Sequence, residues 1–137
     1  MKQRITPFFT FNGRAEEAMN FYTNNLPDAK ILKLEKYSKN NNPMFKEGDE
    51  NRVFTGLISF LSQEIMFLDM TAAYPAPEFT WANSLLVDCK SEEEFDSIFK
   101  TLSTDGQVMM GPEPVAHFRK GAWVVDKFGV VWQLVWE

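Results

Sequence analysis

"TPFFTFNGRAEEAMNFYTNNL", running from Thr6 to Leu26, sets the fold. Its first six residues are short, apolar and β-prone, and they predict a strand over 6–11. Asn12 and Gly13 then break the run and are placed to cap the next element. From there the period changes. Ala15, Met19, Tyr22 and Leu26 recur at i, i+4, i+7 and i+11, which gathers them on one face of a helix. Glu16 and Glu17 sit near its start, where the helix dipole favours acids. Asn24, Asn25 and Pro27 mark its end.

Outward from this strand and helix, "AKILKLEKY" (29–37) reads as a second strand. "SKNNNPMFKEGDEN" (38–51) is polar, contains Pro and Gly, and reads as an exposed loop. "RVFTGLISF" (52–60) and "EIMFLDM" (64–70) are two further strands with a turn near Ser62 and Gln63. "TAAYPAPEFTW" (71–81) reads as a proline-containing linker. The same order then returns. "ANSLLVDC" (82–89) is a strand, and Ser91 with Glu94 forms a capping box before a second helix. Phe95, Ile98, Phe99 and Leu102 give that helix its apolar side, and Asp105-Gly106 ends it. "QVMMGP", "HFRKGAWVVD" and "VVWQLVW" supply the last three strands, with Asp126 to Gly129 turning between the final two.

The chain of 137 residues is therefore expected to be one domain, 1–137, built from two βαβββ modules of about 1–72 and 81–137. Residues 73–80 link them. The fold class is α+β, with the helices outside and curved sheets around a cleft.

Composition removes several function classes. Net charge is −5 with no basic cluster, which argues against a nucleic-acid partner. Lysines 30, 33, 36 and 39 alternate along extended chain and are interrupted by Glu35. No apolar run approaches the ~20 residues of a membrane span, and the N-terminus lacks a signal-peptide pattern. Cys89 is the single cysteine, which fits a reducing compartment. A cytoplasmic protein without membrane association is expected. The seven glycines include no G-x-G pair, so a dinucleotide fingerprint is absent.

Two segments carry a family resemblance, "FNGRAEEAMNFY" and W-x-x-D-K-F-G-V-x-W-Q within "GAWVVDKFGVVWQLV". With "ITPFFTFNGRAEEAMNFYTNNLPDAKI" and "ANSLLVDCKSEEEFDSIFKTLSTDG", they make nearly the whole chain resemble the PhnB-like branch of the vicinal oxygen chelate superfamily. That superfamily also holds glyoxalase I, bleomycin-resistance proteins and extradiol dioxygenases. The resemblance implies paired βαβββ modules and a homodimer. In metal-using relatives it implies one inward ligand from each of four strands, typically His or Glu. Counting from the shared landmarks puts those positions at Pro7, Leu68, Ala82 (within one residue) and Gln133. Pro, Leu and Ala have no side-chain donor atom, and Gln offers one neutral carbonyl, a poor match for Zn²⁺ or Ni²⁺. A slip of one residue would bring in Asp69 and Asn83. Relatives in this branch carry the label demethylubiquinone methyltransferase. A methyl donor with an adenosine moiety usually calls for a glycine-rich loop after a strand, and this sequence has none.

In the closing strand, Val131, Gln133 and Val135 share one face, and Trp132, Leu134 and Trp136 the other. The tryptophan face is expected on a helix and the Gln133 face toward the cleft. Gln133 reads either as a pocket hydrogen-bonding group or as a core amide met by backbone or water. Trp81 and Trp123 read either as stacking surfaces for a flat ligand or as core or interface packing. Asp126 is expected to serve its turn, and Asp69 is a weak acid-base candidate. The spacing of His117 and Cys89 does not support a nucleophile pair.

The pocket is expected near Phe9, Leu68, Ala82, Ser84, Trp123 and Gln133, with Phe9 sharing the inward parity of Pro7 and Phe11. No metal ligand and no cofactor are assigned. The function expected is binding of a small, largely apolar molecule by a homodimer, without a metal. The alternative is a metal-dependent enzyme of the glyoxalase or dioxygenase kind, so turnover is left open.

Overall fold

The first unit runs β1 (Phe8–Phe11), α1 (Ala15–Asn25), β2 (Ala29–Lys36), β3 (Val53–Phe60) and β4 (Gln63–Asp69). The second runs β5 (Leu85–Cys89), α2 (Glu92–Ser103), β6 (Gln107–Val115), β7 (Phe118–Val125) and β8 (Val131–Trp136). This computed structural model describes residues 3–137. The chain divides between Pro77 and Glu78. Each unit holds one four-stranded sheet, ordered β1-β4-β3-β2 in the first and β5-β8-β7-β6 in the second. The leading strand of each unit lies parallel to its last strand, and the other pairs are antiparallel. A parallel neighbour requires a crossover connection, and the helix begins it. The result is the α+β architecture of two βαβββ modules.

Each helix covers one face of its own sheet. α1 buries Ala15, Ala18, Met19 and Tyr22, with Leu26 just beyond its end also buried. Met19 comes down on Gly56 of β3, where an added Cβ would stand 2.6 Å from the Met19 Sδ. The glycine is what lets the helix approach the strand this closely. α2 buries Phe95, Ile98 and Leu102 and packs on β7 and β8. Beneath it Val124, Trp132 and Leu134 are also fully enclosed, so the tryptophan side of β8 does face a helix. Burying each such side chain contributes roughly 1.5–3 kcal/mol.

Two buried aspartates tie these layers together. Asp69, at the end of β4, accepts from the backbone N–H of Gly13 (2.7 Å) and Ala15 (3.1 Å) through Oδ1. Its Oδ2 accepts from the N–H of Val53 (2.9 Å). Sequence alone points to Asn12 and Gly13 as the cap of α1. Instead the helix starts at Arg14 without a side-chain cap from its own segment. Phe11 and Asp69 are register partners, so the carboxylate reaches the helix start from the neighbouring strand. In the second unit, Asp126 accepts from Phe128 N–H (2.9 Å) and Val130 N–H (3.1 Å), and from the Trp132 indole Nε1–H (2.9 Å). It serves the turn, as its sequence setting indicates. At α2, Ser91 Oγ accepts from Glu94 N–H (3.1 Å), while the Glu94 carboxylate accepts from Lys90 N–H rather than from that of Ser91.

Candidate functional site

With one face of each sheet under its helix, strand alternation leaves the opposite face to carry chemistry. On the first sheet the register fixes which residues these are. Phe67 is buried and packs against Tyr22 of α1 at 6.0 Å between ring centroids. Phe9 is its register partner and meets it edge-on at 6.1 Å, while Phe11 stacks on it at 5.8 Å. Phe9 therefore lies on the helix-covered face. This corrects the inward parity assigned to Pro7, Phe9 and Phe11. Phe8 and Thr10 pair with Met66 and Leu68 and take the open face. Leu68 is half-buried there, and its neighbour Asp69 is turned to α1.

The second sheet brings several of the expected residues together. Gln133 on β8 is the register partner of Trp123 on β7 and of Leu86 on β5. Its Nε2 donates to the hydroxyl of Ser84, just ahead of β5, at 2.9 Å. Ala82 does not reach this group. It is exposed in the turn before the strand, its N–H bonded to Thr80 Oγ1 (3.2 Å). Ser84, two residues further on and on the same parity, is the residue of this segment that meets Gln133.

Trp123 is half-buried, and its indole Nε1–H is enclosed with no hydrogen-bond partner. An unmet buried donor costs about 1–3 kcal/mol. Trp81 packs edge-on against it at 6.1 Å between ring centroids and is itself 63% exposed. Leu86 is 62% exposed beside Gln133. This patch is thus apolar, with three polar groups at its centre: an indole N–H, an amide and a hydroxyl.

The residues present do not fit a divalent ion of the kind the superfamily implies. Among the described residues no group of three or more His, Cys, Asp or Glu is placed to hold a metal. Gln133 presents its amide N–H to Ser84, and Leu68 has no donor atom. Asp69 and Asp126 spend their oxygens on backbone and indole N–H groups. Cys89 and His117 form no nucleophile pair. Burial first, then Glu94 and Asp88, push the Cys89 thiol up to about 12 from its usual 9.0, and a buried neutral thiol is a poor nucleophile. His117 is exposed in the turn between β6 and β7, its ring tilted by 34° against that of Phe118 at 4.1 Å between centroids.

The first unit also holds a cavity of about 160 Å³ between the polar loop before β3 and the segment after β4. Met44, Lys46, Asp49 and Tyr74 are among the residues that line it. None of the residues singled out from the sequence does. The only signal there is a polar loop with four Asn, one Pro and one Gly, which indicates exposure and not concavity.

Comparison with known proteins bears on this geometry. A profile of the family described as 3-demethylubiquinone-9 3-methyltransferase matches residues 3–135. A PhnB protein from Bacillus cereus is 37% identical, with 98% of this chain and 100% of that one covered and a TM-score of 0.80. Protein PA1353 from Pseudomonas aeruginosa is 23% identical over 99% and 98% of the two chains, with a TM-score of 0.82. The fosfomycin resistance protein FosX from Listeria monocytogenes, in complex with Mn(II) and 1S,2S-dihydroxypropylphosphonic acid, shares the fold at 10% identity. It covers 98% and 93% of the two chains at a TM-score of 0.63. No curated protein matches the chain. Sequence and fold together place this chain in the PhnB-like family described as 3-demethylubiquinone-9 3-methyltransferase, within the vicinal oxygen chelate superfamily.

Proposed function

We propose that this protein binds a small, largely apolar molecule without the help of a metal ion. The observation that carries this reading is the patch on the second sheet, where Gln133, Ser84 and the unpartnered Trp123 N–H stand among Leu86 and Trp81. Apolar walls with a few convergent polar groups are the usual make-up of a small-molecule site. A homodimer is the proposed working unit. Its support is the exposed apolar surface on the edge strands of the two sheets, Phe8 on β1 and Leu86 on β5.

The methyl transfer in the family's description finds no support at either helix start. Asp69 fills the N-terminus of α1 with the chain's own carboxylate. α2 opens on Glu92, Glu93 and Glu94, which repel an anion there. The turn after β1 contains a single glycine, Gly13, where an adenosine-bearing donor would call for a glycine-rich loop.

A thermal-shift screen tests the binding reading. At a hundredfold excess over Kd, a ligand stabilises the native state by about 2.7 kcal/mol, a rise of several degrees in Tm. Neutral bicyclic aromatics are expected to produce that rise, and Mn²⁺ or Zn²⁺ none. A screen in which only the ions raise Tm contradicts the reading and favours a metal-dependent enzyme.

A further inference from the structure

The polar groups on the second sheet have a direction as well as a position. Gln133 gives one amide hydrogen to Ser84, and its Oε1 accepts no hydrogen bond from the described residues. The Trp123 indole N–H is a donor with no acceptor. The two side chains are cross-strand partners, so their Cβ atoms stand roughly 5 Å apart on one face. A buried donor without a partner and a part-exposed amide oxygen, carried on cross-strand partners, complement a molecule with a carbonyl next to its own N–H or O–H.

Charge narrows the class further. By register and strand alternation, the ionisable neighbours on this face are Asp88, opposite Val135, Glu113, opposite Gly121, and Arg119, two residues before Gly121. Asp88 and Glu113 are acidic and exposed. Lys120 alternates to the helix face, where it is held by Glu92 and Asp96 at 2.8 and 2.9 Å. The guanidinium of Arg119 lies over the Trp136 ring at 3.8 Å and donates to the Glu137 carbonyl. An anion would meet two carboxylates and neither of these cations, so a neutral ligand fits and a carboxylate or phosphate does not. The exposed Trp81 ring beside Trp123 offers a flat surface for an aromatic body.

We propose that the open face of the second sheet recognises a neutral, flat molecule with adjacent carbonyl and N–H or O–H groups. Its carbonyl accepts from the enclosed Trp123 Nε1–H, which is uncovered as the exposed Trp81 ring moves aside, and its donor is accepted by Gln133 Oε1. This rests on the binding reading above and names the chemistry that the site selects.

The test titrates the full chain with 2-quinolone, which carries both groups, and with naphthalene, its apolar isostere. Proton–nitrogen correlation spectra follow the four indole N–H signals, with Trp123→Phe assigning the relevant one. Wild-type protein is expected to prefer 2-quinolone by about tenfold, with the Trp123 N–H resonance moving downfield. In Trp123→Phe the preference is expected to fall to about twofold or less. Equal affinity of the wild type for both probes overturns the hydrogen-bonded class but leaves apolar binding standing. Binding of neither probe overturns both. A preference that survives intact in Trp123→Phe overturns the role given to the indole. The wild-type comparison does not depend on the variant folding.

Discussion

Asp69 shows how much one residue can decide. Its carboxylate is fully buried and accepts three backbone N–H groups, two from the start of α1 and one from the start of β3. Its own carbonyl accepts from the Tyr37 hydroxyl at 2.7 Å. Burial, together with the charges of Asp69 and Asp49, raises the pKa of that phenol. A carboxylate so engaged is part of the scaffold and not a general base. Asp69→Asn keeps the shape but puts an NH₂ where one N–H needs an acceptor, and it removes the charge at the helix start. Urea unfolding is expected to read a loss of about 3 kcal/mol. A loss below about 0.5 kcal/mol would show that the carboxylate is not the tie described here.

Glycine and periodicity act at the scale of the element. Gly56 gives α1 its seat on β3, so Gly56→Ala is expected to cost about 1–3 kcal/mol by overpacking against Met19 and the Phe67 Cβ. Thermal unfolding of the single variant checks this, and pairing it with Met19→Ala should recover part of the loss. Element order is legible because short, β-prone apolar runs give way to a 3.6-residue apolar period after Asn12 and again after Ser91. The facing of β1 is not. "FFTF" is apolar at three of its four positions, so alternation within it is silent, and only the pairing of Phe9 with Phe67 assigns its sides. The start of β5 is blurred for a related reason. The proline-containing stretch before it offers no landmark, so counting puts the strand's inward position at Ala82, within one residue, whereas Gln133 donates to Ser84, the other residue named on that parity. The cap on α1 is invisible in sequence because its acceptor lies 54–56 residues away. Leu68 takes its side from the strict alternation of β4, whereas β7 and β8 do not alternate strictly, and the shared side of Trp123 and Gln133 follows from their register.

Over the whole molecule, three titrating groups act in one direction at alkaline pH. The pKa of Cys89 is raised to about 12 by burial and then by Glu94 and Asp88. Tyr37 is raised by burial and nearby acids, and Lys120 by its hydrogen bonds to Glu92 and Asp96. In each case the folded state holds its proton longer than the unfolded chain. The associated stability is therefore complete below the unfolded pKa values and is lost as pH rises from about 9 toward 12. Denaturant midpoints measured across that window should fall steadily, and Cys89→Ala should flatten the slope. A midpoint unchanged from about pH 8 to 11 would contradict this. No helix among the described residues is long and apolar enough to cross a membrane.

Central to the metal-free reading is a second sheet that presents an amide, a hydroxyl and an indole N–H where a cation would need charged or imidazole donors. Native mass spectrometry of the purified full chain, with Mn²⁺ or Zn²⁺ supplied in modest excess, tests this directly. The predicted result is a spectrum without a stoichiometric ion adduct, for the wild type and for Gln133→Ala alike. One tightly retained ion per chain in the wild type, lost in Gln133→Ala, would contradict it.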